Sequence, residues 1–406
     1  MLALAVFLFV YLGMMLGDIP GLALDRTGIA IVGAIVLVVG GVMTPAQAWG
    51  QVDVNTMAVL FGLMLLSAQL RLGGFYTALT QKLGQAATGP MALLAVLVAS
   101  AGLLSALLSN DIVCLAAAPV VLEVTYRRNL NPVPFLLALA LAANTGSAAT
   151  LIGNPQNILV GEHFHLNFAR YLIDGGVPAI LGLVLVWVFV LAGWRKRLYG
   201  WPIETKPVTG PRPALSTWHT AKGMFVLVAI VAFFLAGSPS RAAVALGAGA
   251  VLLINRKLTS RRLFGLVDWN LLLLFIGLFV VTHALVSNGL AARGIHFLAS
   301  CGLPLSQPIG LATVTLISSN VFSNVPAVML LLPGVSGNGA AVLLALVSTF
   351  AGNLLLVGSI ANIIVASTAS ASGISISWKD HARVGIPLTL TLCVLALVWL
   401  ATIATV

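Results

Sequence analysis

Three consecutive polar residues, Ser109-Asn110-Asp111, interrupt an apolar stretch that extends from Met91 to Leu122. Crossing the ~30 Å hydrocarbon core of a bilayer takes roughly 20 helical residues. The part from Ile112 to Leu122 has about half that length, so the pattern predicts a hairpin over about 90–126 that enters a membrane and turns at the polar residues. The alternative is an ordinary short loop between two full helices, in which these three residues would be exposed to water.

Asp111 is the one acidic residue of ten that we expect at depth in the membrane. A carboxylate there is costly and marks a functional site by default, as a proton carrier or a sodium ligand. His283, inside a predicted span over 269–287, is the second candidate for proton coupling. A histidine in such a place is more often a packed, hydrogen-bonded residue of a helix face.

A second polar cluster lies inside the apolar segment over about 134–160. Gly153 and Pro155 interrupt helical hydrogen bonding there, and the freed backbone groups can bind a cation through carbonyls or an anion through amides. For Ser147 and Thr150, close packing between helices explains the residue type equally well. The candidate binding residues of this cluster are Asn144, Thr145, Ser147, Thr150, Gly153, Asn154, Gln156 and Asn157.

These motifs recur in the second half of the chain. Asp53-Val-Asn55 with Gly62 recurs as Asp268-Trp-Asn270 with Gly277, Ser109-Asn110 recurs as Ser323-Asn324, and Gly153 to Asn157 recurs as Gly358 to Asn362. The matching order predicts an internal duplication. The second half thus adds the candidate binding residues Ser323, Asn324, Asn353, Ser359 and Asn362.

The composition predicts an all-α polytopic membrane protein, because 60% of the 406 residues are hydrophobic and 7% are charged. We expect about ten transmembrane helices in two inverted repeats of five, since an odd number of spans in each half reverses its orientation. The first repeat covers 1–198, a cytoplasmic connector covers 199–221, and the second repeat covers 222–406. A second hairpin is expected at about 306–333 and a second broken helix at about 338–368.

Basic residues predict the orientation. With both termini outside, 17 of the 20 lysines and arginines fall on the cytoplasmic side, and only Arg170, Arg241 and Arg293 remain on the other. This is a strong positive-inside bias for a multi-pass protein of the inner (plasma) membrane. The net charge is +10, but the basic residues lie in short loops between spans. This placement argues against a nucleic-acid-binding protein.

Enzymatic function is not expected. Gly334-Val-Ser336-Gly337 matches a four-residue motif of rhomboid proteases, but it falls in a predicted outer loop and such short matches are common. An intramembrane aspartyl protease would need two deep aspartates. The three cysteines fit neither a disulfide framework nor a structural zinc site.

The hairpin motif with Asp111, the Gly153 to Asn157 stretch and Ser323-Asn324-Val-Pro326 resemble the ion transporter superfamily, across essentially the whole chain. This superfamily includes arsenite permeases, NhaD-type sodium/proton antiporters, citrate transporters and divalent anion–sodium symporters. The resemblance is nearest to the arsenite-permease-like branch of anion permeases. It implies two re-entrant hairpins, two broken helices, elevator-type movement and a scaffold that often forms a homodimer.

The divalent anion symporters carry Ser-Asn-Thr at each hairpin tip, where this chain has Asp111 and Val325 in place of the threonines. A carboxylate would repel a dianion, so the leading expectation is a transporter of a small anion or metalloid, coupled to protons or sodium. The alternatives are a sodium/proton antiporter and a sodium-coupled citrate or dicarboxylate symporter. No cofactor is expected beyond the coupling ion, with sodium placed at Ser109, Asn110 and Gly153.

Overall fold

The structure is a computed structural model that describes residues 1–17, 23–86, 89–201, 215–237 and 240–404. Most of the predicted connector, 202–214, lies outside the described residues. Ten α-helices form the described part of the first half: α1 (Leu2–Leu16), α2 (Arg26–Val39), α3 (Pro45–Gly50), α4 (Val54–Leu72), α5 (Phe75–Ala86), α6 (Pro90–Leu107), α7 (Asn110–Arg127), α8 (Pro132–Ser147), α9 (Pro155–His163) and α10 (Phe168–Trp194).

The described part of the second half repeats this order with ten further α-helices: α11 (Thr217–Leu235), α12 (Arg241–Leu253), α13 (Ser260–Phe264), α14 (Trp269–Ser287), α15 (Leu290–Ser300), α16 (Pro308–Phe322), α17 (Asn324–Leu331), α18 (Asn338–Ala351), α19 (Ile360–Ala371) and α20 (Trp378–Ala404). Six of the twenty, namely α4, α6, α10, α11, α14 and α20, are long and apolar enough to cross a membrane.

Local sequence signals explain where several helices begin. Pro90, Pro132, Pro155 and Pro308 each occupy the first turn of a helix, where the missing N–H of proline costs nothing. The repeated aspartates Asp53 and Asp268 cap α4 and α14, because each carboxylate accepts a hydrogen bond from a backbone N–H of the first turn. These two aspartates therefore recur for a structural reason.

The repeated glycines join the two halves of the chain. A Cβ on Gly62 of α4 would lie 2.3 Å from the carbonyl oxygen of Ala245 on α12, and a Cβ on Gly277 of α14 would lie 2.7 Å from the carbonyl carbon of Ala30 on α2. Helix backbones approach this closely only where the side chain is missing. Consequently α4 packs on α12 and α14 packs on α2 in matching crossings.

The hairpins and broken helices form a second body beside these crossings. Every residue of α8 is buried, and so are residues 341–351 of α18, so the two broken helices form the centre of this body. Around them pack α6, α7 and α10 from the first half and α16, α19 and α20 from the second.

Helix bounds differ from the sequence-based expectation in two respects. The second arm of the first hairpin, α7, has 18 residues rather than the expected 11-residue half-crossing, and its length of about 27 Å matches that of α6. Four helices were not predicted: the short α3 and α13, and the amphipathic α5 and α15 that directly precede α6 and α16. Their mixed composition gives no long apolar run, which is the sequence signal of a membrane-spanning helix.

Candidate functional site

The first hairpin places its polar tip against the centre of the broken-helix body. Helix α6 ends at Leu107, and α7 begins at Asn110. Asn110 is buried, and its Nδ2 donates a hydrogen bond to Oδ1 of Asn144 over 3.1 Å. Ser109 and Asp111 are half-buried and lie on the wall of a cavity. The tip therefore presents an amide to the protein and a carboxylate to the cavity.

The break between α8 and α9 is held by its own side chains. Gly153 is needed there because a Cβ would lie 2.1 Å from the carbonyl oxygen of Ser147. Asn154 caps α9 by accepting a hydrogen bond from the N–H of Asn157. Asn157 in turn donates from Nδ2 to the carbonyl oxygens of Ser147 and Thr150, over 3.4 and 3.1 Å. The freed carbonyls of the break thus find donors inside the protein.

The break between α18 and α19 repeats this arrangement. Ser359 caps α19 by accepting from the N–H of Ala361. Asn362 donates from Nδ2 to the carbonyl oxygens of Gly352 and Leu355, over 2.8 and 3.1 Å. These acceptors lie ten and seven residues before Asn362, the same spacings that separate Asn157 from its own two acceptors. The duplication inferred from the sequence therefore extends to individual hydrogen bonds.

Asn144 joins both breaks and the first tip. Its Nδ2 donates to Oδ1 of Asn353 and of Asn362, each over 3.1 Å, and its Oδ1 accepts from Oγ of Ser359 over 2.9 Å as well as from Asn110. Asn353 donates in turn to Oγ1 of Thr145. We call these residues the amide cage: Asn110, Asn144, Thr145, Asn353, Ser359 and Asn362.

Thr349 occupies the matching position on α18. Its hydroxyl proton is shared between the carbonyl oxygen of Ala345 at 2.8 Å and Oδ1 of Asn157 at 3.1 Å, and its Oγ1 accepts from Nδ2 of Asn154 over 3.0 Å. Gln156 approaches the same hydroxyl at 3.5 Å, and Ser147 accepts from Asn154. Thr349 was not among the predicted site residues. Its signal in the sequence was weak, since a threonine within an apolar helix commonly bonds to its own backbone.

The second hairpin tip contains more buried polar atoms without a hydrogen-bond partner than the first. Ser323 adopts φ +78° and ψ 159°, a conformation that residues with a side chain rarely take and that persists mainly at functional sites. The Oδ1 atoms of Asn324 and Asn320 are buried without a hydrogen-bond partner, and so is Oγ of Ser319. The sequence pointed to Asn324 but missed Ser319 and Asn320, which lie one turn before the tip.

A cavity of about 200 Å³ lies between the first tip and helices α4 and α14. Ser109 and Asp111 line it on one side with Asn154 of the first break. Arg71 of α4 and Asp268, the cap of α14, line it on the other. The sequence placed Arg71 and Asp268 only at span ends, because it could not reveal that these ends face the hairpin tip.

The remaining candidates lie apart from this cavity. His283 is half-buried on α14, twelve residues beyond Leu271 of the cavity wall, or about 18 Å along the helix. Thr150 bonds to the carbonyl oxygen of Ala106 and supports the hairpin. Cys114, one turn beyond Asp111, is fully buried. Within the described residues, no group of three or more histidine, cysteine or acidic side chains is arranged to hold a metal ion.

Comparisons with known proteins agree with this architecture. Residues 9–342 match the citrate transporter family. The silicon efflux transporter LSI3 of Oryza sativa subsp. japonica is 28% identical, with 92% of each chain covered, and the inner membrane protein YbiR of Escherichia coli K12 is 31% identical, with 82% of this chain and 85% of YbiR covered.

The crystal structure of the YdaH transporter of Alcanivorax borkumensis superimposes with a TM-score of 0.57 over 99% of this chain and 96% of that chain. At 15% identity this likeness concerns the fold alone. The predicted class, an all-helical multi-pass membrane protein, is confirmed, and so is the expectation of a transporter rather than an enzyme. The chain belongs to the citrate transporter family of the ion transporter superfamily.

Proposed function

We propose that the protein exports a small, uncharged metalloid hydroxide, such as arsenious or silicic acid, in exchange for protons. The observation that carries this proposal is the position of Asp111. Its carboxylate lies on the wall of the cavity beside the amide cage, without a hydrogen bond or ion pair to any residue that the structure describes. A carboxylate with an open side can take up a proton or accept a hydrogen bond from a substrate hydroxyl.

The size and lining of the cavity support a small hydroxylated solute. About 200 Å³ lies below the 300–1,000 Å³ typical of sites for drug-sized ligands. Arsenious and silicic acids carry hydroxyl groups in several directions, and Ser109, Asp111 and Asn154 offer partners for them. The relative from Oryza sativa is described as a silicon efflux transporter, which is consistent with this substrate class.

Proton exchange would follow from competition for one carboxylate. When Asp111 is ionised it binds a substrate hydroxyl, and when it is protonated it loses that strong acceptor. Sodium coupling would instead use Ser109, Asn110 and Gly153 at the first tip, or the unpartnered Oδ1 atoms of Asn320 and Asn324 at the second, as oxygen ligands.

The two bodies of the fold support alternating access by an elevator movement. Crossings between α4 and α12 and between α2 and α14 would form a fixed scaffold, and the two re-entrant hairpins with the broken helices would carry the substrate past it. The repeats would be inverted within the inner membrane, with both termini outside and the scaffold forming a homodimer. The basic-residue bias and the superfamily resemblance support these assignments.

A carboxylate anion is the second candidate substrate, because Arg71 lines the same cavity as Asp111. A guanidinium group can bind a carboxylate through two parallel hydrogen bonds. The family match also favours this class. Asp111 opposes it, unless a sodium ion or a proton neutralises the site.

The decisive experiment uses proteoliposomes that contain a pH-sensitive dye. Arsenite, sodium and citrate are added in turn to the wild type, to Asp111→Asn and to the control Asp25→Asn, in which asparagine can still cap α2. We expect a proton flux with arsenite in the wild type and the control and none in Asp111→Asn. A flux with sodium alone would indicate a cation antiporter, and citrate uptake driven by sodium would favour the second candidate.

A further inference from the structure

A basic pocket lies where the start of α6, the end of α10 and the start of α20 meet. It has a volume of about 830 Å³ and is lined by Met91, Leu191, Ala192, Gly193, Arg195, Lys196, Arg197 and Arg383. The four cationic side chains are exposed and form no ion pair with any residue in the described part of the chain. Four unpaired cations in one concave pocket favour an anionic ligand.

The acidic residue of α20, Asp380, does not line this pocket and forms no ion pair with its cations among the described residues. Asp380 lies in the first turn of α20, and its carboxylate accepts hydrogen bonds from the backbone N–H and the hydroxyl of Ser377, over 3.0 and 2.6 Å. It is therefore engaged in the cap of the helix. The pocket lining contains no acidic residue, so its potential is positive.

An apolar groove adjoins this pocket along α6 and α10. The groove has a volume of about 830 Å³ and extends on α10 from Leu172 to Trp187, which is about 22 Å of helix. Trp187 marks the junction, because its Nε1 donates to the carbonyl oxygen of Met91 in the basic pocket. One leaflet of a bilayer provides about 15 Å of hydrocarbon, so the groove is long enough for an acyl chain.

We propose that the pocket and the groove together bind one anionic phospholipid, with its phosphate among Arg195, Lys196, Arg197 and Arg383 and an acyl chain along the groove. Charge complementarity selects the headgroup, and the adjoining apolar groove distinguishes a lipid from a free phosphate ion. Basic pockets between transmembrane helices commonly bind such headgroups. The inference does not depend on the identity of the transported substrate.

The test measures lipid binding to the purified full-length protein by native mass spectrometry, with thermal stabilisation as a second readout. The probes are phosphatidylglycerol, phosphatidylcholine and inorganic phosphate. We expect phosphatidylglycerol to bind about tenfold or more tightly than phosphatidylcholine, with a preference that weakens at high salt. Phosphate alone should give little stabilisation.

Two matched variant pairs separate the parts of the site. Neutralising the pocket with Arg195→Gln, Lys196→Gln, Arg197→Gln and Arg383→Gln should abolish the preference. A control that neutralises four other exposed cations, Arg256, Lys257, Arg261 and Arg262, changes the net charge equally and should retain it.

For the groove, Ala99→Trp should weaken binding of phosphatidylglycerol, whereas Ala250→Trp, at an exposed alanine of α12 outside the groove, should not. Equal binding of both lipids, equal effects of the two charge sets, or full protection by phosphate alone would overturn the proposal. A change in oligomeric state in place of lipid loss would also overturn it, since the face would then bind a second copy of the chain.

Discussion

Asn144 is the residue on which the most informative perturbation can be made. Replacing it with aspartate keeps the shape and the acceptor oxygens but removes the two N–H groups that bond to Asn353 and Asn362. The side-chain amides of Asn353 and Asn362 cannot flip to point their N–H groups at the new carboxylate. The Nδ2 of Asn353 is bonded to Thr145, and the Nδ2 of Asn362 is bonded to backbone carbonyls of its own break.

The expected change in the free energy of unfolding follows from these contacts. Asn144→Asp would place carboxylate oxygens against two buried amide oxygens, and each buried acceptor that loses its donor costs about 1–3 kcal/mol. The two together would lower the free energy of unfolding by about 2–6 kcal/mol, with a further penalty while the new carboxylate is charged. This is a large part of the 5–15 kcal/mol that is typical of folded proteins.

Thermal unfolding in detergent, followed by tryptophan fluorescence, measures this loss, and arsenite flux in proteoliposomes measures the proposed transport. We expect a midpoint several degrees lower for Asn144→Asp, with little or no transport. The matched control is Asn288→Asp, since Asn288 bonds from Nδ2 only to the carbonyl oxygen of Ala284 at the end of α14. Wild-type stability and transport in Asn144→Asp would refute the role of this amide as the donor that joins the two breaks.

Three further variants test other contacts. Asp111→Asn should retain the thermal stability of the wild type but lose proton-coupled flux, and flux with an unchanged pH profile would contradict its coupling role. Gly153→Ala should unfold at lower temperature, because the new Cβ would lie 2.1 Å from a backbone oxygen, whereas Gly294→Ala, with open space around it, should match or exceed the wild type. Glu162→Gln and Arg241→Gln should each destabilise the protein by roughly 1–3 kcal/mol, since their side chains form a partly buried ion pair at 2.6 Å between α9 and α12; unfolding curves identical to the wild type would show that the pair contributes nothing.

The sequence predicted the membrane class and the hairpin and broken-helix elements well, for physical reasons. Long apolar runs are local signals, and the predicted hairpins and broken helices coincide with the helix pairs α6–α7, α16–α17, α8–α9 and α18–α19, although α7 is longer than the predicted half-crossing. Their re-entrance in a membrane stays a prediction. The repeated Gly62 and Gly277 indicated the duplication, although not that each glycine contacts a helix of the other half. The amphipathic helices α5 and α15 were not predicted, because their mean hydropathy is low.

The geometry of the site was only partly accessible from the sequence. Local composition identified Asn110, Asn144 and Asn362 as polar residues in apolar segments, but their mutual hydrogen bonds depend on tertiary packing. The sequence placed Arg71 at the cytoplasmic end of a predicted span, and only the fold places it on the cavity wall. Residues that meet across more than two hundred positions of sequence leave no local pattern.

The two halves share the hydrogen-bond pattern of their helix breaks but differ in the titratable groups at their hairpin tips. Asn157 and Asn362 brace their breaks in the same way, so this part of the duplication serves stability. The first tip carries Asp111 beside a cavity, whereas the second carries buried Val325 at the matching position. A transporter that couples one substrate to one proton needs a single titratable group, because a second deep carboxylate would add the cost of another buried charge without a partner. The asymmetry of the tips fits the proposed coupling through Asp111 alone, and Val325→Asp should lower stability without adding a second coupled proton.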